Sequence, residues 1–268
     1  MYIRVSIKAT EQQQEELIAL LSDFNPAGFE QTSDELIAYF NEADFYKEAI
    51  KRVIDQYPFN IKVVEEQNWN TLWETNFQPV VIDHFCAVRA HFHQPISGVQ
   101  HEIIITPKMS FGTGHHATTY MMLQQMKEID FKDKKVFDFG TGTGILSIMA
   151  EKLGAAQITA IDVDDWSIRN AAENFRKNGC TKIKVCLSSH IPQGAYDIIL
   201  ANINRNVILQ YLPQLRKVLK KNGHILFSGL LNSDEPDLIH ACAHEQLYLI
   251  RKTERDSWIA LLFITEMS

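Results

Sequence analysis

The chain has 268 residues, of which 46% are hydrophobic, 22% charged and 10% aromatic, with a net charge of −7. At about 150 residues per domain that length suggests two domains, and the mix is that of an ordinary soluble globular protein. Twelve Gly and eight Pro exclude a collagen-like chain, no apolar run approaches the roughly 20 residues of a membrane span, and the acidic balance argues against a strong nonspecific nucleic-acid binder.

The opening MYIRVSIKATEQQQEE has no apolar signal core and no small-residue cleavage site, so a cytoplasmic location is expected. The first elements read as a small α/β unit. Ile3, Val5 and Ile7 alternate as in a half-buried strand. Thr10 and Gln13 form a capping-box pair ahead of a helix bearing Leu17, Ile18, Leu20 and Leu21, which Pro26 and Gly28 break. Phe29 to Thr32 and Leu36 to Phe40 read as strands, residues 43–57 as a helix stopped by Pro58, and Phe59 to Val64 as a last strand. The order β-α-β-β-α-β is the ferredoxin-like arrangement, placed at residues 1–66.

A linker follows at 67–79. Trp69, Trp73 and Phe77 recur every four residues, on one helical face. They serve either as the core side of an amphipathic connector or as a platform for a partner. From residue 80 to 268 three short strands (80–83, 86–92, 102–106) precede alternating strands and helices, the mark of a mostly parallel sheet covered on both faces. A helix is expected from Asn206 to Lys221, closed by Asn222-Gly223, and another from Asp237 to Gln246. The last two strands, about Leu247–Arg251 and Trp258–Thr265, are linked only by the polar stretch Lys252–Ser257. So short a link permits only antiparallel pairing.

The strongest chemical signal is VFDFGTGTGILSIMA, a strand running through Gly140, Gly142 and Gly144 straight into a helix. Glycines let the backbone turn tightly and approach a ligand closely, and a helix N-terminus offers free N–H groups. Ile145 stands where the dehydrogenase fingerprint G-x-G-x-x-G needs its third glycine, which disfavours a nicotinamide enzyme. Asp162 ends the next strand, where a carboxylate can accept bonds from both ribose hydroxyls of an adenosine ligand. Asp164 and Asp165 are better placed than Asp162 to cap the following helix.

This arrangement resembles the donor site of class I methyltransferases, which use S-adenosylmethionine. The helix WSIRNAAENFRKNG, with its Ala-x-x-Asn-x-x-x-Asn-Gly pattern, is similar to that class, whereas the acid many members carry after strand three is replaced by LSSHIP. The resemblance leaves the adenine to Ser188, Ser189 or a backbone group. Two further segments narrow it. FGTGHHATT, with Thr118 and Thr119 opening a helix, and LANI, with Asn202 ending strand four, resemble the signatures of the PrmA family of ribosomal protein methyltransferases. Ala117 stands where that family often has Pro, and the first domain is short for it.

The resemblance implies an α/β class I methyltransferase, with a seven-stranded sheet ending in an antiparallel hairpin, behind a ferredoxin-like substrate-recognition domain. It implies methyl transfer from S-adenosylmethionine to lysine and N-terminal amines of the large-subunit ribosomal protein at the stalk base. It places donor binding on Thr119, Gly140, Gly142, Gly144, Asp162 and Asn202, with Asn202 also catalytic by orienting the amine. His115 and His116 stand either as bases or pocket-shaping groups, or as an exposed helix start. Glu11, Glu15 and Glu16 of the first helix either attract a basic partner or form a solvated face. No metal is expected, since His91-x-His93 and the His240, Cys242, His244 spacing lack further ligands. The four Cys include no CxxC pair and read as reduced thiols. The alternatives are a class I methyltransferase acting on another protein, RNA or small molecule, and a non-catalytic adenosine-ligand sensor.

Overall fold

The computed structural model describes residues 2–22, 24, 26–42, 45–64, 78–106 and 116–266. The aromatic linker and most of FGTGHH, including His115, lie outside these residues. The chain divides into two compact units, Met1–Thr75 and Asn76–Ser268.

In the first unit the order is β1 (Tyr2–Lys8), α1 (Glu11–Ser22), β2 (Gly28–Gln31), β3 (Glu35–Asn41), α2 (Lys47–Ile54) and β4 (Phe59–Val64). The strands form one antiparallel sheet in the order β2-β3-β1-β4, the ferredoxin-like topology. Alternation puts Ile3, Val5 and Ile7 on one face with Leu36, Ala38 and Phe40, and Leu17, Leu21, Ile50 and Ile54 of the helices bury against them. The Gln13 side chain reaches back to accept the Thr10 backbone N–H at 3.0 Å, which fixes the start of α1. The second helix is shorter than the sequence pattern suggests, eight residues rather than fifteen.

The second unit opens with β5 (Val80–Ile82), β6 (Cys86–Ala90) and β7 (His101–Ile105), which make a separate three-stranded sheet. Then come α3 (Ala117–Met126), β8 (Lys135–Phe139), α4 (Ile145–Lys152), β9 (Gln157–Asp162), α5 (Asp165–Lys177), β10 (Ile183–Leu187), β11 (Tyr196–Asn202), α6 (Arg205–Val218), β12 (Leu219–Leu231), α7 (Glu235–His244), β13 (Tyr248–Arg255) and β14 (Trp258–Ile264). Seven of these strands form the main sheet, ordered β10-β9-β8-β11-β12-β14-β13. Strands β8 to β12 run parallel, and β14 enters antiparallel between β12 and β13. The order reverses at β8/β11, where an open sheet leaves a crevice beyond the strand ends.

Two local expectations are corrected. The sixth helix stops at Val218, because Leu219 already pairs with Tyr196 of β11 and Asn222 takes the left-handed φ of 59° inside β12. The stretch from Lys252 is strand as far as Arg255. Asp256 and Ser257, with φ of 51° and 66°, make a two-residue turn of the type that matches strand twist. No helix among the described residues is long and apolar enough to cross a membrane.

Candidate active site

The glycine-rich turn sits at the C-terminal end of β8. Gly140, Gly142 and Gly144 all have positive φ, at 77°, 54° and 80°. The turn is tied to β9 through the carbonyl of Ile161, which accepts the N–H groups of both Gly140 and Thr141 at 3.0 Å. Asp162 follows at the end of β9. One carboxylate oxygen accepts the Gly142 N–H at 2.9 Å and the other the Asp164 N–H at 3.0 Å. The cap of α5 is Asp164, whose side chain accepts the Ser167 N–H at 2.9 Å. Asp162 is thereby released from capping, and each of its oxygens keeps acceptor capacity.

Behind the turn lies Asp138, fully buried in β8. Its Oδ2 accepts the hydroxyls of Thr141 and Ser147, each at 2.6 Å, and its Oδ1 has no partner among the described residues. Burial pushes this carboxyl up to about 6, against the lowering effect of the two hydroxyls, and the Asp162 charge adds to the rise.

Across the crevice Asn202 ends β11. Its Nδ2 donates to the Thr119 hydroxyl at 3.3 Å, while its Oδ1 is buried without a partner among the described residues. Thr119 is fully buried in the first turn of α3. That helix is capped by His116, which accepts the Thr118 N–H at 3.3 Å through Nδ1 and packs edge-on to Trp258, centroids 4.8 Å apart. Burial pulls the His116 imidazole below its usual range. Asn204 also lines the crevice, but its side chain is engaged in capping α6, where it accepts the Val207 N–H at 3.1 Å.

A cavity of about 600 Å³ joins these groups. Gly140, Gly142, Asp162 and Asn202 line it, together with Ser188 and Ser189 beyond β10. Thr119 and Gly144 do not line it. Thr119 reaches it through Asn202, and Gly144 caps α4. Trp258 and Gly229 are among the cavity residues that the sequence alone did not single out. Trp258 forms the wall on the β14 side, and Gly229 of β12 (φ 82°) lies against the Ile203 backbone, where a Cβ would meet the Ile203 carbonyl oxygen at 2.3 Å. A glycine inside the apolar run HILFSGLL was the available signal, since strand-interior Gly marks a close backbone approach. No group of three or more His, Cys, Asp or Glu among the described residues is placed to hold a metal ion.

The residues fit an adenosyl sulfonium ligand. Both key polar groups are acceptors, the Asp162 carboxylate and the orphaned Asn202 carbonyl, the kind of groups that ribose hydroxyls and a cationic or N–H group would meet. The main sheet with its antiparallel β14, and the crevice at the ends of β8, β9 and β11, define a class I S-adenosylmethionine-dependent methyltransferase. A methyltransferase from Pyrococcus furiosus, 16% identical, shares this fold with a TM-score of 0.53, over 62% of this chain and 90% of that one.

Closer relatives resolve the class. The family model described as ribosomal protein L11 methyltransferase (PrmA) matches residues 3–266. A ribosomal protein L11 methyltransferase of Phocaeicola vulgatus is 35% identical over 92% of each chain, and that of Porphyromonas gingivalis is 38% identical over 92% of this chain and 89% of its own. The crystal structure of ribosomal protein L11 methylase from Lactobacillus delbrueckii subsp. bulgaricus, 30% identical, superposes with a TM-score of 0.64 over 70% of this chain and 97% of that one. The chain belongs to the PrmA family of ribosomal protein L11 methyltransferases.

Proposed function

We propose that this chain methylates ribosomal protein L11, the large-subunit protein of the stalk base, at lysine side chains and the N-terminal amine. The observation that carries the chemistry is that Asn202, whose Oδ1 is buried with no partner among the described residues, lines the same cavity as Asp162. Gly140, Gly142 and Asp162 hold the donor, with Asp162 on the ribose and Ser188 or Ser189 near the adenine. Thr119 holds the Asn202 amide by its nitrogen and so aims the carbonyl oxygen. Gly144 opens α4 behind the turn.

S-adenosylmethionine supplies an electrophilic methyl group on a sulfonium whose leaving group is a neutral thioether. The chain's own task is orientation and exclusion of water. An attacking amine must be neutral, and a lysine of pKa about 10.4 costs on the order of 4–5 kcal/mol to deprotonate at pH 7. Apart from Tyr211, Asp162 is the ionisable residue lining the cavity among the described residues, and both its oxygens already accept backbone N–H groups. Deprotonation is therefore assigned to water, aided by burial of the amine in the apolar cavity. The Asn202 carbonyl oxygen accepts a hydrogen bond from the remaining amine N–H and lines up the lone pair. The amine enters along the wall formed by Trp258 and Gly229, which lie on the β12 and β14 side, away from Asp162.

Recognition of the protein substrate is assigned to the first unit, by analogy with the family. The test is incubation of the protein with methyl-labelled S-adenosylmethionine and unmethylated ribosomal proteins, read by mass spectrometry. Label on L11 at lysine and N-terminal amines is expected. Label on another protein, or none, would overturn the assignment.

A further inference from the structure

One pattern in the chain has no role in the chemistry described above: Ala171 and Asn174 of α5 and Asn178, which caps its C-terminal end, with Phe175 between them. Spaced at 171, 174, 175 and 178, the four share one helix face. Ala171 and Phe175 are buried against Gly144, where a Cβ would meet the Phe175 ring at 2.4 Å. Asn174 is fully buried beside them. Its Nδ2 donates to the Thr143 carbonyl at 2.9 Å, inside the glycine-rich turn, and its Oδ1 accepts the Thr106 N–H at 2.7 Å, just past the end of β7. The amide orientation is forced, because one partner only accepts and the other only donates. Asn178 grips the same strand one helical turn on. It accepts the Ile104 N–H at 2.9 Å and donates to the Ile104 carbonyl at 2.6 Å, with no contact to the turn.

We propose that Asn174 is a positioning residue for the methyl donor, pinning the Thr143 peptide so that the turn presents the Gly142 N–H to Asp162 and holds its ligand-facing shape. The inference rests on the glycine-rich turn being the donor site. Thr143 lies one residue past Gly142, whose N–H is bonded to the Asp162 carboxylate. Loss of the Asn174 amide takes one hydrogen bond from the buried Thr143 carbonyl and one from the part-buried Thr106 N–H, and loosens the hold on the peptide that joins Thr143 to Gly144. Asn178 provides the matched control, since it caps the same helix and bonds the same strand but makes no hydrogen bond to the turn among the described residues.

The experiment measures S-adenosylmethionine Kd by calorimetry and Tm by thermal melting for wild type, Asn174→Ala, Asn174→Asp, Asn178→Ala and Asp162→Ala. Asn174→Asp keeps the acceptor for Thr106 and loses the donor to Thr143, and it stands in should the alanine variant not fold. Either Asn174 variant is expected to raise Kd about tenfold and the donor KM in step, with kcat changed less than twofold. Asn178→Ala is expected to lower Tm comparably and leave Kd within twofold of wild type. An Asn174 variant that binds as tightly as wild type, or an Asn178 variant that loses as much affinity, would overturn the proposal. A wild type that does not bind the donor, or an Asp162→Ala that binds it unchanged, would instead remove the reading of the turn on which it rests.

Discussion

The two strand ends that face the cavity are built in opposite ways. At β9 the Asp162 carboxylate is held by two backbone N–H groups and is satisfied before any ligand arrives. At β11 the Asn202 amide is half satisfied, its nitrogen on Thr119 and its oxygen buried with no partner among the described residues. A buried acceptor left open costs about 1–3 kcal/mol, and it recovers that cost when an N–H or cation reaches it. The pre-satisfied end suits affinity, since its geometry does not change on binding. The open end suits the reacting centre, where an interaction is worth most if it forms with the amine in place.

The comparison breaks most severely at Asp162. Asp162→Ala removes the two charge-assisted bonds assigned to the ribose hydroxyls, each worth about 1.5–3 kcal/mol, so donor Kd should rise at least about a hundredfold in a calorimetric titration. Unchanged affinity would show that β9 is not the gripping end. Next is Asp138, which stands behind the same turn. Its pKa is raised in the folded state to about 6, so its contribution to stability is full below about pH 4 and is lost as pH rises through about 6. Asp138→Asn should therefore gain on wild type by about 2–3 kcal/mol between pH 4 and pH 8, scaling the shift at 1.36 kcal/mol per pH unit. Parallel melting profiles would mean the buried carboxyl is not a strained part of the binding half. The smallest effect is expected at Trp258. Trp258→Ala should raise the KM for L11 about tenfold and leave donor Kd within about twofold, a difference of about 1.4 kcal/mol confined to one side. An equal change in donor Kd would move Trp258 to the gripping half.

Strand ends are legible because periodicity announces them. Glycines after VFDF, an acid after ITAI and an asparagine after IILA all fall where hydrophobic runs stop, and the structure puts Gly140, Gly142, Asp162 and Asn202 around one cavity. Trp258, Gly229 and Asn174 were not legible as site residues because their importance comes from long-range pairing. Trp258 reaches the cavity only because β14 inserts beside β12, and Asn174 meets Thr143 and Thr106 across 31 and 68 positions of chain. The missed boundaries have the same origin. Leu219 leaves the helical pattern to pair with Tyr196, and the hairpin closes on Asp256-Ser257 because both adopt positive φ, which their composition alone does not announce.

The division between a gripping and a reacting end is tested most directly by a single-turnover measurement on Asn202→Ala, with donor saturating and unmethylated L11 as acceptor. Methyl transfer should slow by about ten- to a hundredfold, the scale of one to two orienting hydrogen bonds of about 1.4 kcal/mol each, while donor Kd stays within about threefold of wild type. A variant that loses rate and donor affinity in equal proportion would contradict the account, because Asn202 would then hold the donor and do nothing more for the amine.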